Sequence, residues 1–148
     1  MKNLVIELDQ TGLEQLAADI ARKARPGDRY FLSGPLGSGK STFARAFIRA
    51  LGIQGAIPSP TFIMDSVYST VSPALEIHHM DLYRLFGTEE ELVLLGFDQI
   101  LESEAVVLVE WPERIPFLES LRGCRIELGS GRGPDTRSVR VDRILAGN

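Results

Sequence analysis

The sequence predicts an α/β fold in a single domain spanning residues 1–148, with a central, mostly parallel sheet, antiparallel additions and flanking helices. Three observations carry that prediction. Segments with helical spacing alternate with short β-rich runs, the pattern of parallel strands joined by crossover helices. The run Ala105-Val106-Val107-Leu108-Val109 is short, β-branched and wholly apolar, as a central strand buried on both faces requires. A glycine-rich string, Gly34-Pro35-Leu36-Gly37-Ser38-Gly39-Lys40-Ser41, lies between a strand-like run and a helical one.

Taken in order, Leu4 to Leu8 reads as a short strand. Thr11 then heads a segment with Leu13, Leu16, Ala17 and Ile20 at helical spacing, and is the expected N-cap. Pro26-Gly27-Asp28 marks a turn. Tyr30-Phe31-Leu32 is a buried strand ending at Ser33-Gly34. A helix from about Lys40 to Leu51 puts Phe43, Ala44, Phe47, Ile48 and Leu51 on one face, with Gly52 closing it. Ile57-Pro58-Ser59-Pro60 is irregular because of its prolines. Runs near Phe62 to Tyr68 and Glu76 to Met80 suggest a hairpin with a longer loop around Ser72-Pro73. Thr88 with Glu91 resembles a capping box for an acidic helix. After the run ending at Val109, Trp111-Pro112 breaks the strand, and Arg125 to Leu128 and Ser138 to Val141 read as two late strands.

Composition narrows the function classes. Hydrophobic residues are 44% and charged residues 24%, which excludes disordered and fibrous chains. No stretch nears the ~18 apolar residues of a membrane-spanning helix. Met1 to Gln10 lacks the apolar core of a signal peptide, and the single cysteine, Cys124, makes neither an internal disulfide nor, unaided, a zinc site. A cytoplasmic protein is expected, with no membrane partner. The net charge of −4 argues against a domain built to grip nucleic acid by itself. Charge is unevenly spread: Leu85 to Ala105 holds six acids and no base, whereas Arg122 to Arg143 holds six arginines and three acids. These read either as solvated faces or, for the arginines, as a basic edge for a partner or a polyphosphate.

The glycine-rich string fits G-x-x-x-x-G-K-[ST] in the strand-to-helix context of the P-loop NTPase fold. Glycines at such positions let successive backbone N–H groups converge on phosphate oxygens. The helix starting near Lys40 aims its positive dipole end, roughly +0.5 charge, at the same place. Gly37, Ser38 and Gly39 would cradle phosphate, Lys40 would reach the β- and γ-phosphates, Ser41 would ligate Mg²⁺, and Thr42 would lie near the α-phosphate. Such a site also needs an acid for the metal, commonly at the end of a hydrophobic strand. Glu110 is the acid in that position, one methylene longer than the more usual Asp.

Four motifs occur in order: GPLGSGKST, SPTF (Ser59 to Phe62), HMDLYR (His79 to Arg84) and VEWPE (Val109 to Glu113). Together they closely resemble the bacterial TsaE (YjeE) family, small ATPases of tRNA threonylcarbamoyladenosine biosynthesis, from Thr11 to about Val141. The resemblance implies roles for Glu110 and Ser41 with Mg²⁺, for Trp111 beside the nucleotide, for Asp81 as the HxDxYR acid and for Thr61 as a switch-like threonine. Thr11 matches a family threonine near the nucleotide, and an ordinary N-cap explains it equally well. It also implies a complex with TsaB and TsaD, which would touch tRNA through the complex. Two positions depart from the pattern: Pro35 where an acid is common, and Ser41 where Thr is usual.

Read on their own residues, the remaining motifs keep two meanings. A hydroxyl in Ser59-Pro60-Thr61-Phe62 senses a γ-phosphate through the metal, or the segment is a Pro-rich turn. Asp81 orients a water, or caps the turn that follows. His78 and His79 have no ligand at metal spacing and are expected to be structural. Tyr83 and Phe86 are expected to pack. The resulting expectation is a Mg²⁺-dependent ATPase, weak alone and stimulated by partners, with Lys40, Asp81 and Glu110 catalytic. A small-molecule or nucleoside kinase and a non-hydrolysing nucleotide-dependent interaction module remain alternatives. No Asn-Lys-x-Asp string follows the apolar strands to read guanine.

Overall fold

The structure is a computed structural model that describes residues 4–57, 65–71 and 74–144. Strand β1 (Leu4–Leu8) leads into helix α1 (Gln10–Arg22), and β2 (Arg29–Ser33) feeds the glycine-rich loop that opens α2 (Lys40–Ala50). A hairpin of β3 (Asp65–Val71) and β4 (Ala74–Asp81) follows, then the short helices α3 (Glu89–Leu95) and α4 (Phe97–Glu102). β5 (Val106–Glu110) runs into 3-10 turns at Pro112–Arg114 and Pro116–Ser120, and β6 (Gly123–Ser130) pairs with β7 (Arg137–Ile144).

These strands form one seven-stranded sheet in the order β1-β7-β6-β2-β5-β4-β3. Its centre, β6-β2-β5-β4, is parallel, while β3 and the β7–β1 pair add antiparallel edges. The predicted mixed sheet is thus what the chain adopts. Every residue of β5 is buried, and alternation along it divides the core. Val106 and Leu108 pack with Leu13, Ala17, Phe43 and Phe47 of α1 and α2. Val107 and Val109 face Phe97, Leu101 and Leu118 on the opposite side. The same parity in β4 and β5 places His79, Asp81 and Glu110 on the α2 face, at the strand ends where α2 begins. In open α/β sheets ligands bind outside these carboxyl ends.

The boundaries differ from expectation in a few places, each for a local reason. Asp9, not Thr11, caps α1: its carboxylate accepts from the Gly12 N–H at 2.8 Å, and Thr11 lies in the first turn. Asp9 is the first residue past β1 and is already extended, at φ −81° and ψ −177°. In the hairpin Val71 pairs with Ala74, so only two residues join the strands instead of a longer loop. β6 and β7 extend beyond their predicted spans because each completes the other's ladder. The capping box is present, with Thr88 and Glu91 bonding reciprocally. Ser59 to Phe62, with Thr61, lies outside the described residues. No helix among the described residues is long and apolar enough to cross a membrane.

His78 ties the hairpin together on the face away from the site. Its Nδ1 lies 2.8 Å from Asp65 and its Nε2 2.7 Å from Glu76. The bond to Asp65, with help from Glu76, raises the imidazole above its ordinary value against the opposing effect of burial. A raised folded-state value means that the native chain holds this proton more tightly than the unfolded one. The stabilisation is therefore complete below the unfolded value of about 6.5 and is lost as pH rises through the raised one. We predict that His78→Gln lowers stability more at about pH 6 than at about pH 9, measured by urea unfolding; an equal loss at both would contradict the assignment.

Candidate functional site

The glycine-rich loop takes its shape from backbone constraints. Gly34 has φ +147°, and a Cβ there would stand 2.4 Å from the Leu128 carbonyl oxygen and 2.7 Å from Ser38 Oγ. Gly37 has φ +76°, yet a Cβ there would meet nothing within 4 Å. Gly39 is the N-cap of α2 and, having no side chain, leaves the first-turn N–H groups of the helix without a side-chain cap. Those groups have no intrahelical acceptor, so the helix start presents donors and a positive dipole end at the loop.

Lys40 is buried under this loop. Its ammonium donates to the carbonyls of Gly34 and Pro35 and sits 4.4 Å from the centre of the Trp111 ring. Burial pushes the ammonium below the ordinary lysine value, and the carboxylates of Glu110, Glu113 and Asp81 oppose that shift. Glu110 ends β5 and is only 2% exposed. One of its oxygens, Oε2, is 2.6 Å from His79 Nε2, and the other lies 3.5 Å from Ser41 Oγ. Asp81 is paired with Glu110 in the β4–β5 register. Its Oδ1 accepts the Tyr83 N–H at 3.0 Å, so it does cap the following turn. Burial raises its carboxyl above the usual range, and neighbouring Glu110 adds to the shift, against the Tyr83 N–H, His79 and Lys40.

These groups surround a cleft of about 390 Å³. Gly37, Gly39, Lys40, Ser41 and Thr42 form its floor, with Asp81, Glu110 and Trp111 opposite. Trp111 is the one non-glycine among the described residues with positive φ, at 60°. Left-handed backbone is costly for a bulky residue and concentrates at functional positions. Here it turns the ring over the cleft, against Tyr83 at 4.8 Å. Ser38 behaves differently from its loop neighbours. It is buried beneath the loop, its N–H donates to the Pro35 carbonyl at 3.1 Å, and among the described residues its hydroxyl has no partner. Thr11 lines a second cleft of about 370 Å³ that shares Gly39, Thr42 and Arg137 with the first.

Sequence reasoning missed two residues here. Arg137, at the start of β7, donates to the Gly37 carbonyl at 3.3 Å and lines both clefts. The basic stretch near the C-terminus contained it without singling it out. Another arginine of that stretch, Arg125, is instead structural, donating to the Leu118 and Leu121 carbonyls over the Phe31 ring. His79, expected to be merely structural, contacts Glu110. The available signal was its i, i+2 spacing from Asp81, which puts both on one strand face. Phe86, expected to pack, is 90% exposed.

The donor set fits a nucleoside triphosphate with Mg²⁺. A hydroxyl and a carboxylate converge from α2 and β5, a lysine and uncapped helix N–H groups face the same space, and all are oxygen- or phosphate-seeking groups. The family model described as threonylcarbamoyl adenosine biosynthesis protein TsaE matches residues 8–139. A Streptomyces coelicolor protein named tRNA threonylcarbamoyladenosine biosynthesis protein TsaE is 39% identical over 101 residues, 68% of each chain. Its Bacillus subtilis namesake is 38% identical over 122 residues, 82% of this chain and 73% of the relative. A crystal structure of Bacillus subtilis YdiB superposes with a TM-score of 0.76 at 28% identity, covering 97% of this chain and 86% of that one.

The loop geometry makes a ranked prediction. Gly34→Ala, which drives a Cβ into backbone, lowers stability by about 1–3 kcal/mol or more, and Gly37→Ala, with strained φ but open space, costs less. Chemical denaturation of the two variants checks the order; the reverse order would contradict the loop description.

Proposed function

The chain belongs to the TsaE family, and from that premise we propose that it is a Mg²⁺-dependent ATPase that supports threonylcarbamoyl modification of adenosine in tRNA. It acts with TsaB and TsaD in the cytoplasm and does not perform the transfer itself; its contact with tRNA runs through that complex. The observation that carries the reading is the convergence of Lys40, Ser41, Asp81 and Glu110 on one cleft at the carboxyl ends of β2, β4 and β5. A kinase needs an acceptor pocket as well, and membership of a family named for tRNA modification favours hydrolysis in a partner complex.

In this reading the N–H groups at the start of α2 and the Lys40 ammonium hold the β- and γ-phosphates. Ser41 and Glu110 would hold Mg²⁺, directly or through water, and when bound the ion would supply charge neutralisation at the phosphoryl oxygens. Thr42 lies near the α-phosphate, Trp111, whose ring centre is 4.4 Å from the Lys40 ammonium, borders the phosphate end, and Thr11 is reached through the second cleft. Backbone of Gly37 and Gly39 allows close approach of phosphate, and Ser38 supports the loop from below. Asp81 orients the attacking water with the oxygen that does not cap the turn. Its raised carboxyl makes it a better proton acceptor than an exposed aspartate. The water oxygen bonds to the γ-phosphorus, the bond to the β–γ bridging oxygen breaks, and the products are ADP and inorganic phosphate. Thr61 is proposed as the switch hydroxyl.

Two predictions test these roles. Lys40→Ala weakens ATP binding at least ~10-fold in calorimetric titration, and Glu110→Gln folds but loses most hydrolysis; wild-type behaviour in either variant removes that residue from its role. The second concerns gating. With one Asp81 oxygen engaged by the Tyr83 N–H, the cleft turns over slowly alone, so phosphate release rises when TsaB and TsaD are added. Asp81→Ala retains nucleotide binding and loses the rise. Full turnover by the isolated chain, or normal stimulation of Asp81→Ala, would contradict the gating account.

A further inference from the structure

We infer that His79 is a positioning residue that sets the orientation of the Glu110 carboxylate and thereby selects which oxygen faces the metal. The inference rests on the proposed Mg²⁺-dependent nucleotide site. It starts from burial: the His79 side chain is fully buried, and that of Glu110 is 3% exposed. A carboxylate so placed needs donors, because a buried charge without them is strongly disfavoured. His79 Nε2 stands 2.6 Å from Oε2. The other ring nitrogen, Nδ1, is buried and has no partner among the described residues. An ionised carboxylate only accepts, so a 2.6 Å contact requires Nε2 to be the donor, and a proton on Nδ1 would have no acceptor among the described residues. The imidazole therefore carries its proton on Nε2 and donates to Oε2.

That single bond divides the labour of the two oxygens. Oε2 is committed to His79, and Oε1 is the one directed at Ser41 Oγ, 3.5 Å away. The arrangement is made rigid by the sheet. β4 and β5 are parallel neighbours with Asp81 opposite Glu110, so His79 sits diagonally one pleat below on the same face. Glu110 has one more torsion than an aspartate would, and His79 removes that freedom. Such outer partners of a ligating carboxylate commonly change metal affinity by 10–100-fold when lost.

The test titrates Mg²⁺ into the full chain with ADP and follows Trp111 fluorescence, for wild type, His79→Leu and His79→Gln. Glutamine places an amide N–H near the position of imidazole Nε2; leucine fills the volume without a donor. His79→Leu should bind ADP in EDTA within ~2-fold of wild type and require ~10–100-fold more Mg²⁺ for the metal-dependent response. His79→Gln should recover most of that loss, an effect that mere filling of the core would not produce. A wild-type Mg²⁺ response in folded His79→Leu, or equal impairment of both variants, overturns the inference. A wild-type chain that binds no ADP, or binds it without any effect of Mg²⁺, overturns the functional reading and this inference with it. Nitrogen-15 spectra of the histidines in the wild-type chain give an answer independent of nucleotide and of variant folding. A proton on Nε2 of His79 that shifts in Glu110→Gln supports the assignment; a proton on Nδ1 overturns it while leaving the functional reading intact.

Discussion

A carboxylate buried at the end of an entirely apolar strand is the constraint on which this molecule is arranged. Glu110 follows four buried hydrophobic residues of β5 and is itself buried. Its surroundings must supply what water would have supplied. Three residues do so. β4 brings His79 alongside, α2 brings Ser41, and Lys40 adds a nearby positive charge that Glu110 in turn stabilises. The parallel β4–β5 register and the placement of α2 over the sheet follow from the same packing that buries Phe43 and Phe47. Folding and site construction are thus one process: the core cannot close without bringing these polar groups together.

The second consequence is preorganisation. The loop between β2 and α2 runs through positive-φ glycines and approaches the Leu128 carbonyl too closely at Gly34 for any side chain. Trp111 leaves β5 in a left-handed conformation and lays its ring against Lys40 and Tyr83. Strain of that kind persists only where surrounding contacts over-determine it. Here the Trp111 N–H is held by the Leu32 carbonyl at 3.2 Å, on the strand that feeds the loop. The aromatic wall and the phosphate-seeking floor are therefore anchored to the same strand.

Features that depend on neighbouring residues in the chain were readable before the structure. The glycine string, the apolar β5 run and the Thr88–Glu91 capping box each carry their own chemistry within a few residues. The α1 cap was misread by two positions because Thr11 and Asp9 are both good caps, and only the end of β1 decides between them. His79 carried only one local signal, its spacing from Asp81, because its partner is 31 residues away and comes alongside only through strand order. Arg137 was hidden for the same reason, lying 100 residues from Gly37. Phe86 was expected to pack, whereas its backbone is engaged by Glu91 and its ring projects outward. Local patterns named the residues of the floor and Asp81, Glu110 and Trp111 opposite it; His79 and Arg137 required topology.

The most direct measurement is the position of the metal. Crystals of the chain grown with ADP and Mn²⁺ in place of Mg²⁺ would locate the ion by anomalous scattering. The account predicts one ion between the diphosphate and the start of α2, bound by Ser41 Oγ, with Glu110 Oε1 reaching it directly or through a bound water. An ion held away from both residues, or a nucleotide lodged outside the cleft of Lys40 and Trp111, would contradict it.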